Sequence, residues 1–236
     1  MPECHSTNSL ALQHCQQTQT PAEGTIIITS NQTAGRGQRG STWSSEPGKN
    51  LTFSMILKPT FLSIPDQFFL NIFVSLGIYD YIKNVSNLNV SIKWPNDIYI
   101  GSKKICGVLI ENQIQGQWFT HSVIGVGLNI NQQAFELPTP TSLSLETGQE
   151  FDLNEELEKL LKVLEARYLQ LRNNKREELI HAYRDALHWL NEVHTFSSGD
   201  GEFKGIIQGV DEAGKLVVEN DRQLRSFGLK EISFVR

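Results

Sequence analysis

The sequence lacks most of the features that mark specialised protein classes. Its apolar stretches, such as Ile26-Ile27-Ile28, are short, so no membrane-spanning segment is expected. Only three cysteines occur, Cys4, Cys15 and Cys106, with no CxxC spacing. That argues against a disulfide framework and fits a reducing, cytoplasmic setting. No basic segment leads into an apolar run near residue 1, so no signal peptide is expected. Positive charge is scarce: 21 Lys and Arg stand against 26 Asp and Glu, a net charge of −5. Bulk attraction to nucleic acid is therefore not expected, and any basic site has to be local. The Gly-Lys-Ser/Thr ending of a P-loop is absent, and Gly125-Val126-Gly127 lacks the third glycine of a dinucleotide-binding turn. No serine occupies a Gly-x-Ser-x-Gly elbow. No Cys/His set has zinc spacing; His181 and His188 are seven apart. Cys106 reads as a small packed hydrophobe, so a covalent enzyme nucleophile is not indicated.

What is present is an ordinary globular composition, 236 residues with 39% hydrophobic and 20% charged. That length suffices for one sizeable core, or for a core with a small appended domain. Ser6, Thr7 and Asn8 precede Leu10-Ala11-Leu12 and predict a short helix over 6–18. Residues 25–29 read as a buried strand and 51–57 as another. Between them, the Gly-, Ser-, Asn- and Pro-rich stretch 30–50 reads as a long loop, a type that is usually functional or disordered. Residues 65–83 form a largely buried helix, with Phe69, Ile72, Phe73 and Leu76 at helical spacing. Val90, Ile92 and Trp94 alternate, Ile98 and Ile100 follow, Gly101-Ser102 turns the chain, and 104–111 returns as a hairpin arm. Residues 122–130 form an apolar strand interrupted by Gly125 and Gly127, a mark of close approach. Helices are predicted over 153–172, with Asp152 and Glu155 resembling a capping box, and over 176–190. Short strands at 203–210, 216–219, 223–227 and 231–235 suggest a small β-barrel-like unit. The expected fold is α+β: a mixed β-sheet with helices on one side over 1–191, then the β-barrel over 192–236.

Two polar segments carry the chemistry. The first, residues 32–43, contains Gly35-Arg36-Gly37-Gln38-Arg39-Gly40 and closes on Trp43. Bare backbone amides there can form an anion-binding concavity, and the guanidinium groups match carboxylate and phosphate oxygens. A Gly-Arg-Gly fragment alone would read as a solvated loop; Trp43 favours an ordered cover. The second segment is Lys93-Trp94-Pro95-Asn96-Asp97, followed by Lys104. Pro95 stops regular pairing, so Asn96 and Asp97 sit at a bend. There Asp97 can position a magnesium–phosphate unit, or the pair can simply form an Asx-turn. Lys104 faces the same cleft or stays a solvated surface lysine. Together the segments suit a reaction between a carboxylate and a phosphate.

Taken with Ser6-Thr7-Asn8, Lys104 to Gly107 and Gly125 to Asn129, these motifs resemble biotin–protein ligases, and the resemblance covers nearly the whole chain. It implies a class II synthetase-like catalytic domain with a C-terminal SH3-like domain, using ATP, biotin and Mg²⁺. The implied acceptor is a biotin carboxyl carrier protein, with no nucleic acid or membrane partner, and the protein would be a monomer or homodimer. The implied chemistry has two steps: biotinyl-5′-AMP forms with release of pyrophosphate, and a carrier lysine then displaces AMP.

Residue by residue, the resemblance implies catalytic roles for Lys104, Arg36 and Asp97, the last also as the Mg²⁺ residue. Biotin would be held by Ser6, Thr7, Asn8, Gln32, Gly35, Arg36, Gly37, Gln38, Lys104 and Gly107. The nucleotide would meet Arg39, Trp43, Lys93, Asn96 and Asn129. Many relatives place arginine at the position of Gln38, where it helps retain the intermediate; Arg39 is expected to compensate here. The catalytic region begins by His5, which leaves no room for an N-terminal helix-turn-helix domain. A lipoate or octanoate protein ligase of the same fold and a non-catalytic biotin sensor are the competing readings.

Overall fold

In chain order the elements are β1 (Glu3–Cys4), α1 (Thr7–Gln17), β2 (Thr25–Thr29), β3 (Asn31–Gln32), β4 (Leu51–Leu57), α2 (Phe68–Val85), β5 (Val90–Lys93), β6 (Asp97–Ile100), β7 (Lys103–Gln115), β8 (Trp118–Leu128), α3 (Leu143–Thr147), α4 (Leu153–Arg172), α5 (Arg176–Asp185), β9 (Val193–Ser198), β10 (Gly201–Val210), β11 (Leu216–Asn220), β12 (Gln223–Phe227) and β13 (Ile232–Phe234). The structure, a computed structural model, describes residues 1–17 and 21–235, without the side chain of Arg39.

Six strands form the main sheet in the order β2-β4-β8-β7-β6-β5. Every pairing in it is antiparallel, which corrects the expected mixed sheet. The physical reason is connectivity: β5 to β8 follow one another through short turns that reverse the chain. Among the described residues, parallel pairing is confined to the two-stranded β1–β3 ribbon and isolated bridges.

Alternation along the strands sorts side chains onto two faces. On one face Ile124, Val126 and Leu128 join Phe53 and Met55 in the large core under α2, with α4 stacked on α2. On the other, Ile56 and Val123 meet Ala11 and Cys15 of α1. Helices therefore cover both faces rather than one. Beyond α1, the second face carries polar residues and glycines, and the site lies there. Strand β2 is half-buried, because it is the sheet's edge.

Helix α4 starts where Asp152 accepts hydrogen bonds from the amides of Asn154 and Glu155. Helix α5 ends at Asp185, five residues before its expected end. The apolar rhythm runs on, but Leu187 bridges to Ile92, whose amide donates to Ala186 O at 2.7 Å. Sheet contact there replaces the last helical turn.

The C-terminal strands form a five-stranded antiparallel sheet in the order β12-β11-β10-β9-β13, including β9, which carries no strong strand signal. Its edges, β12 and β13, do not pair among the described residues, so the sheet is open. Its core residues Phe196, Ile207, Leu216, Val218, Phe227 and Ile232 belong to the same apolar cluster as the main sheet.

Candidate functional site

A cleft of about 320 Å³ opens on the polar face of the main sheet. Its floor exists because three residues of β7 and β8 have no side chain. A Cβ on Gly125 would lie 2.1 Å from Asn8 Oδ1, and one on Gly127 would lie 2.3 Å from the Trp43 ring. Gly107 leaves the space occupied by the Trp43 ring edge and the Lys104 ammonium.

The start of α1 makes one end of the cleft, where Ser6, Thr7 and Asn8 are all buried. The β1–β3 ribbon holds Gln32 beside them. Gln32 Oε1 accepts from the Thr7 amide at 2.8 Å and from Thr7 Oγ1 at 3.1 Å. Ser54 Oγ lies within hydrogen-bonding distance of Thr7 Oγ1 (2.8 Å) and Asn8 Oδ1 (2.5 Å). This polar end can recognise a compact group carrying both donors and acceptors.

The glycine–arginine loop folds back on itself. Trp43 N donates to Gly35 O, Gly37 N donates to Ser41 O, and Arg36 bridges to Thr42 around a 3-10 turn at Gln38–Gly40. Gly35 lies beneath Trp43 O and the Gln32 amide, where a Cβ would clash. Gly35 is not on the cleft wall, whereas Arg36, Gly37 and Gln38 are. Arg36 makes a bidentate pair with Glu111, at 3.0 and 2.6 Å, and Glu111 also accepts from Asn8 Nδ2 at 2.9 Å. Arg39 was expected here too; its side chain lies outside the described residues.

At the other end Lys104 Nζ sits 2.7 Å from Asp97 Oδ1 and 6.0 Å from the centre of the Trp43 ring. The segment at Pro140 brackets Lys104: its amide donates to Thr139 O and its carbonyl accepts from Thr141 N. Asn96 is buried at the bend, and its amide group donates to Asn71 Oδ1 and Val108 O. It thus ties the bend to α2 and β7. Two expected nucleotide residues stand away from the cleft wall. Lys93 lies over the rings of Tyr99 and Phe234, 5.5 and 4.8 Å from their centres. Asn129 is buried and donates to Thr141 O, behind the strand that carries Lys104.

Two buried polar atoms at the cleft, Trp43 Nε1 and Thr52 Oγ1, have no protein partner. Such groups point to a ligand or solvent partner. No cluster of three or more metal-ligating side chains occurs among the described residues, so Asp97 offers one carboxylate rather than a metal cage. Burial pushes the Cys106 thiol well above its usual range, which makes it inert.

Among the residues that escape motif reading are Ser54 and Glu111, which hold wall residues in place, and Leu229 and Lys230 of the wall itself. Period-2 alternation could have found the first two. Ser54 shares a face with Thr52, and Glu111 shares one with Gly107 and Leu109. Leu229 and Lys230 arrive from the turn between β12 and β13, which no local signal links to the cleft.

Residues 2–129 match the Biotin/lipoate A/B protein ligase family. A bifunctional ligase/repressor BirA of Bacillus spizizenii is 30% identical over 86% of this chain, and the chain spans 64% of that relative's length. A biotin--[acetyl-CoA-carboxylase] ligase of Mycobacterium tuberculosis is 30% identical over 84% of this chain and 74% of its own. The solved biotin protein ligase of Aquifex aeolicus, in complex with biotin and ATP, superposes with a TM-score of 0.83 at 25% identity, covering 100% of this chain and 97% of that one. On these matches, the chain is a member of the biotin/lipoate A/B protein ligase family.

Proposed function

We propose that the protein is a biotin–protein ligase. In the first step a carboxylate oxygen of biotin attacks the α-phosphorus of ATP, the bond to the bridging oxygen breaks, and pyrophosphate leaves. In the second, a lysine amine of a carrier domain attacks the carboxyl carbon, the C–O bond to phosphate breaks, AMP departs, and the amine's extra proton passes to solvent. The observation that carries this reading is the distribution of charge and polarity along one cleft. A neutral donor–acceptor pocket lies at the α1 end, and a lysine ammonium at the Asp97 end.

The first step brings two anions together. Lys104 is placed to lie between the carboxylate and the α-phosphate, exchanging its contact with Asp97 for the developing charge. Holding both reactants in one cleft supplies the rest of the acceleration. Thr7, Asn8, Gln32 and Ser54 suit the ureido ring of biotin, which has two N–H groups and one carbonyl. A lipoyl dithiolane has no such groups, so the same pocket would leave buried polar atoms unpaired with lipoate. The Arg36 loop covers the acyl chain, while Trp43 and the glycine floor hold the adenylate. Were Mg²⁺ to accompany the nucleotide, Asp97 would offer it a carboxylate oxygen, and the ion would supply countercharge to the phosphates. The C-terminal sheet is read as an SH3-like module, and residues 1–191 as the catalytic part. The acceptor is a biotin carboxyl carrier protein.

The test is incubation with labelled biotin, magnesium–ATP and a carrier domain, omitting each in turn. Labelled carrier forms only in the complete mixture, and pyrophosphate exchange depends on biotin and not on lipoate. Lys104→Ala lowers the exchange rate about 10²–10³-fold. Lipoate-dependent exchange, or biotin binding without AMP formation, would overturn the reading in favour of its two competitors.

A further inference from the structure

Three described cations line the cleft: Arg36, Lys104 and Lys230. Arg36 is neutralised by Glu111 and Lys104 by Asp97. Lys230 forms no ion pair among the described residues. With two pairs cancelling internally, the described lining has one uncompensated positive charge to offer a polyanionic nucleotide. That charge comes from the C-terminal sheet, not from either motif segment.

The backbone at Lys230 is also unusual. Its φ is +70°, in the left-handed region that a lysine side chain disfavours. The surrounding turn enforces it. Gly228 N donates to Glu231 Oε2 at 2.6 Å, and Glu231 N donates back to Gly228 O at 3.1 Å. Nothing in the packing requires a lysine here, because the side chain is exposed rather than buried. Glycine would satisfy the turn without strain. A side chain retained against such a backbone preference is a functional candidate.

We propose that Lys230 binds the β- and γ-phosphates of the nucleotide and neutralises the pyrophosphate as it leaves. The proposal rests on the ligase reading above and deepens it. The residue then acts only in the first chemical step. As pyrophosphate separates, charge builds on its oxygens, and an ammonium at the cleft mouth stabilises that charge. The second step involves no β- or γ-phosphate, so it is independent of Lys230.

The decisive variant is Lys230→Gly, because fold and function respond in opposite directions. Removing a strained lysine leaves the melting temperature equal or higher. Losing a charged contact to phosphate raises the KM for ATP in biotin-dependent pyrophosphate exchange about tenfold. The KM for biotin stays unchanged, and Lys230→Arg restores the KM for ATP to within about threefold of the parent. Transfer from preformed biotinyl-5′-AMP to a carrier domain proceeds at the parental rate. An unchanged KM for ATP in the glycine variant overturns the proposal, as does a defect that persists with preformed adenylate. A parent protein with no biotin-dependent exchange overturns the ligase reading itself, which separates the two failures.

Discussion

At the scale of single residues, the cleft depends on atoms that are missing as much as on those present. Gly125 has room for a hydrogen only, since a methyl would sit 2.1 Å from Asn8 Oδ1. Gly125→Ala should cost about 1–3 kcal/mol in urea unfolding through overpacking, and it should raise the KM for biotin because Asn8 is displaced. Glu111 behaves differently. Its pair with Arg36 is partly solvated, with the side chains 27% and 41% exposed, so the pair adds at most about 1 kcal/mol to stability. Its work is positional, joining the loop through Arg36 to helix α1 through Asn8. Glu111→Ala is therefore expected to leave the melting temperature nearly unchanged while raising the KM for biotin about tenfold. An unchanged KM would sever the loop from biotin binding. The motif residues were legible because glycine, arginine and the Lys-Trp-Pro-Asn-Asp run stand out chemically. Glu111 and Ser54 were less so, since a lone polar side chain within a strand looks solvated until the loop and helix that cover it are known.

Among the elements, the α2–α4 contact shows what periodicity reads and what it cannot. Both helices announce themselves through apolar spacing. One junction between them is polar: the Tyr81 hydroxyl donates to Glu156 Oε2 at 2.6 Å, and Lys159 donates to Glu156 Oε1 at 2.7 Å. Glu156 is 3% exposed, an acid buried only because it has these partners. Tyr81→Phe should destabilise the protein by about 1–3 kcal/mol at neutral pH. Burial first, and Glu156 second, push the Tyr81 phenol above its ordinary range. Above pH of about 10 the unfolded chain therefore binds fewer protons than the folded one, and stability falls as pH rises. Melting temperatures from pH 8 to 11 should decline less steeply in Tyr81→Phe than in the parent. Equal slopes would show that Tyr81 does not couple to alkaline unfolding. Elsewhere tertiary contact overrode the local pattern. Leu187 and Leu190 continue the rhythm of α5 but bridge to Ile92 and Ile207 instead, and β9 takes a segment left outside the expected strands.

At the scale of the whole molecule, the six-stranded and five-stranded sheets share one large apolar core. The α+β class and most strands could be read from alternation and turn residues. How the parts meet could not, because no local signal specifies that Trp94 Nε1 donates to Gly214 O at 2.9 Å, or that Arg184 Nε donates to Gln208 O at 2.9 Å. We propose that the division at residue 191/192 marks an architectural boundary but not a boundary of stability. Phe196, Ile207 and Phe227 share an apolar cluster with Phe73 and Ile92, so removing the C-terminal sheet would expose core surface on both parts. Unfolding should then be a single cooperative event. The check is urea denaturation followed by far-ultraviolet circular dichroism and, separately, by the fluorescence of Trp94 and of Trp189, which stacks 3.8 Å from His194 of β9, with Trp43 and Trp118 replaced by phenylalanine. Coincident midpoints are expected, along with a 1–191 fragment that lacks a cooperative transition. Separate midpoints would mean that the C-terminal sheet opens by itself. Lys230 would then leave the cleft without global unfolding, and the affinity for ATP would track the stability of that sheet alone.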